Sequence, residues 1–309
     1  MPTSEYYLLT GATSGIGLEV AAWLAQSRPN SFIVVGARRP DLANTLRQRV
    51  PADRLLILEL DTASLDSVKV FAGSVRAFLA GRKCAGLALN AGIQIVSGDR
   101  YSVDGFELTF ATNVLGHIAL FEHLRSEMGQ SATVISTASG THDPAHKLAR
   151  PYKFFGGRFP SVSDVAAGKV SDSNDEAQKG RDRYATSKLC NIMFSYAMAR
   201  HYPAGELRFV AFDPGLMPGT ELARDQPAAM RFAWKNVLPT AAKLIDGAST
   251  PQRSGAMLAQ LLIGERLPLE TGLHVEFTGN EIPSSELSHD QTKQDELVNW
   301  ARGLAIATR

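Results

Sequence analysis

Cysteine is scarce: Cys84 and Cys190 are the only two in 309 residues. That excludes a disulfide framework and a cysteine-built metal cluster, and reduced thiols fit a cytoplasmic protein. Unbalanced charge is also missing. The 32 Lys and Arg face 31 Asp and Glu, for a formal net charge of +1, so no bulk field recruits nucleic acid or an anionic membrane. No apolar run reaches the roughly 18 residues that an integral membrane segment needs. The N-terminal Met1-Pro2-Thr3-Ser4-Glu5 lacks the basic and apolar regions of a secretory leader. No repeat and no linker divides the chain, so a single domain over 1–309 is expected.

What is present is alternation. Short apolar runs at 5–10, 31–37, 54–60, 85–89, 132–135, 208–212 and 272–277 read as strands. Helical patterns at 18–26, 64–79, 105–128, 184–201 and 290–304 separate most of them. Strands and helices in turn predict α/β architecture: a doubly wound, mostly parallel sheet of about seven strands, with helices on both faces.

The first strand runs into Gly11-Ala12-Thr13-Ser14-Gly15-Ile16-Gly17 and then a helix. Small residues let a diphosphate approach the backbone, and the helix start offers free N–H groups. The second strand ends at Arg38 and Arg39. In a dinucleotide fold that position meets the adenosine ribose, and two arginines there suit a 2′-phosphate. NADP(H) is therefore the expected cofactor. The fourth strand exits through Asn90-Ala91-Gly92, which lets backbone come close to a ligand. Asn113 sits within a helical stretch that it does not favour, so it either distorts the helix locally or uses its side chain. Ser136, Thr137 and Ser139 follow the fifth strand, at the sheet edge where open α/β sheets bind ligands.

Tyr184 and Lys188 are four apart, which places them on one helix face. An ammonium beside a phenol favours the phenolate, so the pair predicts a tyrosine pKa drawn down from about 10. Such a tyrosine passes a proton to or from a substrate oxygen. A packed aromatic beside a solvated lysine is the alternative.

Taken in order, these motifs resemble the short-chain dehydrogenase/reductase family across nearly the whole chain. The parts are Thr10 to Gly17, Asp61, Asn90-Ala91-Gly92, Asn113, the hydroxyls after strand five, Tyr184 with Lys188, and Pro214-Gly215. The resemblance implies hydride transfer with a nicotinamide, and a small-molecule substrate. Tyr184 would be the general acid/base. Lys188 would lower its pKa and hold the nicotinamide ribose, with Asn113 positioning Lys188. Asp61, with Thr62 beside it, would border the adenine. Asn90, Ala91 and Gly92 would line the adenosine ribose and the nicotinamide side. Thr220 would meet the nicotinamide carboxamide. Members of the family often pair through helices, so a homo-oligomer is compatible.

Two departures stand out. Aligning Ile135-Ser136-Thr137-Ala138-Ser139-Gly140 on the family's serine motif puts Thr137 at the catalytic serine, with Ser139 and Ser136 as rivals. The interval 140–183 is also far longer than in compact members, and carries aromatic, basic and polar runs. This insertion is similar to that of light-dependent protochlorophyllide reductases and retinol-dehydrogenase-like members. Leu216, however, stands where the former usually carry cysteine. Segments 140–183 and 216–250, the latter with a helix or lid over 227–242, are expected to roof an apolar carbonyl or alcohol. Light-driven carbon–carbon double-bond reduction and a non-catalytic dinucleotide sensor are the alternatives. His142 and His146 flank Asp143, but Pro144 between them argues for a loop and against a metal site. Cys190 reads as a small buried residue on its helix.

Overall fold

The computed structural model describes residues 5–96, 98–202, 205–217, 247–267 and 270–307. These form one parallel sheet of seven strands: β1 Glu5–Thr10, β2 Ser31–Ala37, β3 Leu55–Glu59, β4 Cys84–Leu89, β5 Met128–Thr137, β6 Leu207–Asp213 and β7 Leu273–Glu276. Their order in the sheet is β3-β2-β1-β4-β5-β6-β7. The helices that matter here are α1 Gly15–Ser27, α2 Asn44–Arg49, α3 Leu65–Leu79, α4 Leu108–Phe110, α5 Gly116–Leu124, α6 Val162–Ala166, α7 Glu176–His201, α8 Pro251–Leu262 and α9 Gln291–Ala307.

Successive strand residues face opposite layers. Tyr6 and Leu8 of β1 join Phe71 of α3, Phe121 of α5, Phe194 of α7 and Val298 of α9. Tyr7 and Leu9 join Leu24 of α1, Leu46 of α2 and Leu258 of α8. Both faces of the sheet are therefore covered, which is why its strands read as continuous apolar runs. β1 pairs with β2 on one side and β4 on the other. The strand order reverses there, opening a crevice at the carboxyl ends of the strands.

Two helices differ from the expectation. The segment 105–128 is broken: α4 gives way to a π-turn over Ala111–Leu115 before α5, and β5 already begins at Met128. The helix carrying Tyr184 starts eight residues earlier than that residue, at Glu176, where the Asp175 side chain accepts from Ala177 N–H as its cap. Residues 176–183 of the polar run over 171–183 therefore belong to α7.

The rest of the insertion is packed rather than loose. Phe159, Val162, Val165 and Val170 are buried in the core, and Val162 N–H donates to Glu296 of α9 at 2.8 Å. Trp300 fixes α9 through an edge contact with Phe106 and a tilted contact with Phe110. The expected lid helix at 227–242 lies outside the described residues.

Candidate active site

Backbone meets backbone where β1 ends. Gly11 has φ +66°, and a Cβ there would lie 2.7 Å from Ala91 Cα. The Asn90 side chain ties this contact together. Its Nδ2 donates to the Thr10 and Gly11 carbonyls at 3.2 and 3.3 Å, and its Oδ1 accepts from the Thr137 hydroxyl at 3.2 Å. No side chain caps the first turn of α1, so its N–H groups are left for an anion.

A cavity of about 290 Å³ opens over this turn. Gly11, Thr13, Ser14, Gly15 and Ile16 line its start, with Arg38 and Thr62 beyond them. Asn90, Ala91, Gly92, Pro214 and Gly215 line the other side, together with Tyr184 and Lys188. Gly17 lies beneath the turn, against Gly11 and Asn90. Arg39 and Asp61 do not border the cavity; Asp61 Oδ1 instead accepts from Ala63 N–H at 3.0 Å, while Leu60 and Thr62 on either side of it face in. Thr220 lies outside the described residues. Ile93, Gln94, Thr112 and Met217 also border the cavity; each neighbours a motif in sequence or, for Thr112, precedes Asn113, and that adjacency was the available signal.

Lys188 Nζ lies 5.4 Å from the Tyr184 ring centroid and donates to the Thr137 carbonyl at 2.8 Å. Asn191 Nδ2 donates to the same carbonyl at 2.9 Å. The Thr137 hydroxyl is turned towards Asn90 and borders only the first cavity; Ser136 borders neither. Ser139 borders both cavities, as Tyr184 does. Asn113 satisfies both halves of the sequence expectation: it sits in the π-turn, and its side chain is fully used. It bonds Ile93 N–H and C=O at 2.8 and 3.0 Å and donates to Ser187 Oγ at 3.0 Å. The loop after β4 is thus laced to α7 beside Lys188.

The electrostatics run against the simple pair argument. Burial pushes the Tyr184 pKa up, and the Asp213 carboxylate pushes it further, so the expected lowering is not what this arrangement produces. Burial also drops the Lys188 ammonium to about 8, with Asp213 partly opposing. Desolvation outweighs the mutual attraction because both groups sit below 10% exposure.

A second cavity of about 360 Å³ adjoins the first across Tyr184, Ser139, Gln94, Gly215 and Met217. Leu148, Ala149, Pro151, Tyr152 and Phe154 of the insertion form one wall; Leu216, Phe277 and Ile282 form another. The aromatic run therefore splits, with Phe154 against the Tyr184 ring at 6.0 Å and Phe159 in the core. His142 is held by Ser139 C=O and Ser285 N–H, at 2.7 and 3.1 Å. Among the described residues, no group of three or more His, Cys, Asp or Glu side chains is arranged to hold a metal. Cys190 is fully buried, and burial raises its pKa. No described helix is long and apolar enough to cross a membrane.

A parallel sheet with adjoining dinucleotide-type and apolar cavities at its switch point defines a Rossmann-type oxidoreductase scaffold. The family model for short chain dehydrogenase matches residues 5–153. A short-chain dehydrogenase, TIC 32 B, chloroplastic, of Brassica napus is 28% identical over 261 residues, which are 80% of this chain and 77% of the relative. A chloroplastic protochlorophyllide reductase of Chlamydomonas reinhardtii is 28% identical over 276 residues, or 84% of this chain and 66% of the relative. The NADPH-bound carbonyl reductase from chicken fatty liver shares the fold, with a TM-score of 0.64 and 19% identity over 91% of this chain and 100% of that one. These matches support a member of the short-chain dehydrogenase/reductase family, and the chain is an oxidoreductase. Its cofactor is accordingly a nicotinamide dinucleotide. The first cavity fits one: the uncapped start of α1 suits a diphosphate, and the Gly11–Ala91 contact leaves no side chain to obstruct it.

Proposed function

We propose that this chain is an NADP(H)-dependent oxidoreductase moving a hydride between the nicotinamide and a fairly large apolar carbonyl or alcohol, with Tyr184 as general acid/base. In this reading residues 1–309 are a single domain whose 140–183 insertion and 216–250 segment roof the substrate. The observation behind it is that Tyr184 borders both cavities at once. A bound nicotinamide gives or takes the hydride. Tyr184 gives or takes the proton at the substrate oxygen. Its raised pKa keeps the hydroxyl protonated at neutral pH, as carbonyl reduction requires. Lys188, anchored on the Thr137 carbonyl, holds its charge on the cofactor side. Ser139 borders the same two cavities and Thr137 the cofactor side alone; both are candidates for the assisting hydroxyl.

A panel of carbonyl and alkene substrates, followed by NADPH absorbance, tests the reading. Turnover of apolar carbonyls supports it. Turnover of protochlorophyllide alone, and only under illumination, would assign the second reading, which rests on the algal relative. Dinucleotide binding with no turnover across the panel would point to a sensing protein.

Arg38 is exposed and borders the dinucleotide cavity. Arg38→Ala is expected to weaken NADPH by about tenfold or more, since bonds to a phosphate are charge-assisted, and to leave NADH nearly unchanged. Equal losses in fluorescence titrations with the two cofactors would refute the phosphate assignment.

The Lys188 pKa sets a pH expectation. Lowered from 10.5 to about 8, the ammonium is charged below that pH and neutral above it. Reduction, which uses the charged form, should fall as pH rises through about 8. Asp213 favours the charged form, so Asp213→Asn should move this limb to lower pH. An unmoved limb in the kcat/KM profile would remove Lys188 from the mechanism. Asparagine keeps an Oδ1 for Gly215 N–H, which Asp213 accepts at 2.9 Å.

A further inference from the structure

His117 lies one turn beyond Asn113 and is 3% exposed. Its Nδ1 is 3.2 Å from the Asn113 carbonyl oxygen, and its Nε2 is 3.0 Å from Thr10 Oγ1. A carbonyl only accepts, so Nδ1 carries the hydrogen. Burial first, and the Lys188 ammonium second, hold the ring pKa down at about 3. The ring is therefore neutral and Nε2 is an acceptor, so the Thr10 hydroxyl donates to it at 3.0 Å, with the Ala88 carbonyl at 3.3 Å as the competing acceptor. Thr10 Oγ1 in turn accepts the N–H groups of Asn90 and Ala91, each at 2.9 Å. The resulting chain runs from the loop under the dinucleotide, through Thr10 and His117, to the π-turn of Asn113. Its two ends meet again at Gly92, where a Cβ would lie 3.4 Å from Asn113 Oδ1 and 3.8 Å from Lys188 Nζ.

We propose that His117 is a positioning residue with one task per nitrogen: Nε2 holds the loop after β4 in place for the dinucleotide, and Nδ1 holds Asn113 in place beside Lys188. The second task rests on the catalytic reading above; the first does not. Imidazole suits both because it bridges a hydroxyl donor and a carbonyl acceptor across one rigid ring. Neither amide side chain spans both. Asparagine places an N–H near Nδ1 and reaches no further, while glutamine places an acceptor near Nε2 and removes the side-chain N–H that Nδ1 offers the Asn113 carbonyl.

The two single-atom mimics separate the tasks. His117→Gln should lose mainly in kcat, by about tenfold, with NADPH affinity changed much less. The basic limb of its kcat/KM profile should move below about 8, because Lys188, facing Tyr184 and Asp213, loses an ordered polar neighbour. His117→Asn should lose mainly in NADPH affinity, by about tenfold. Thr10→Val should match that loss, and combining it with His117→Asn should add little further. Affinities are read by fluorescence titration, and fold retention by thermal melting of each variant. If Gln and Asn lose kcat and affinity in the same proportion, tracking a common fall in melting temperature, His117 only fills the core and the proposal is overturned. Wild-type protein that binds NADPH but turns over no substrate refutes the catalytic reading; the affinity split between Asn and Gln then decides the Nε2 task by itself.

Discussion

Tyr184→Phe is expected to lower kcat by about three orders of magnitude while leaving NADPH affinity within a factor of about two. The substitution removes one oxygen and keeps the ring. The ring is 6% exposed and packs against Phe154 at 6.0 Å, so phenylalanine fills the same space. A fold-wide loss is not expected, since the deleted hydroxyl was itself desolvated, with burial the first cause of its raised pKa. What disappears is the proton at the seam between the two cavities. Water is a poor replacement there, because the surrounding wall includes Phe154, Met217 and Phe277. Steady-state turnover beside a cofactor titration checks this. More than a tenth of wild-type turnover in Tyr184→Phe would end the acid/base assignment and shift attention to Ser139.

The sheet was largely legible because its physics is local. A strand covered on both faces reads as an apolar run, and β2 falls on residues 31–37 as expected. A local distortion at Asn113 was legible but its form as a π-turn was not, since Asn113 is held there by Ile93 and by Ser187, 74 residues away. The first turns of α7 were hidden for another reason. Residues 176–183 show little apolar periodicity, and the segment is stabilised by its Asp175 cap and by pairs such as Lys179 with Glu176 at 2.7 Å. The Tyr184 pKa shows the same limit within the site. Sequence displays the lysine four residues on, but neither the burial nor Asp213, which arrives from the end of β6. The motif likewise places Thr137 in register without saying that its hydroxyl faces Asn90. The apolar cavity was foreseen only as two segments of chain. Its walls come from six separate stretches, including Gln94 and Phe277, that no local pattern connects.

Gly17→Ala carries the second large effect, and here the argument is one of contact. A Cβ at Gly17 would lie 2.4 Å from the Gly11 carbonyl oxygen, 2.7 Å from Asn90 Nδ2 and 2.9 Å from Ala12 Cα. Two of these three atoms are backbone and cannot swing aside. Either α1 lifts off the turn or the turn opens, and both movements pull Gly11 away from Asn90 Nδ2 and Ala91, which it now meets at hydrogen-bond and van der Waals distance. Overpacking of this kind typically costs about 1–3 kcal/mol. For a chain of this size that lowers the melting temperature by several degrees, at roughly 2–4 °C per kcal/mol. Because the strain falls on the phosphate-side turn, dinucleotide affinity should fall by roughly tenfold to a hundredfold, one factor of ten for each 1.4 kcal/mol. Gly73→Ala is the control of opposite sign. Gly73 is exposed within α3, and a Cβ there meets nothing within 4 Å. Relief of glycine's backbone entropy should then raise stability by about 0.5–1 kcal/mol, with cofactor affinity untouched. If Gly17→Ala melts and binds NADPH like wild type, the tight apposition of α1, Gly11 and Asn90 does not govern the dinucleotide site.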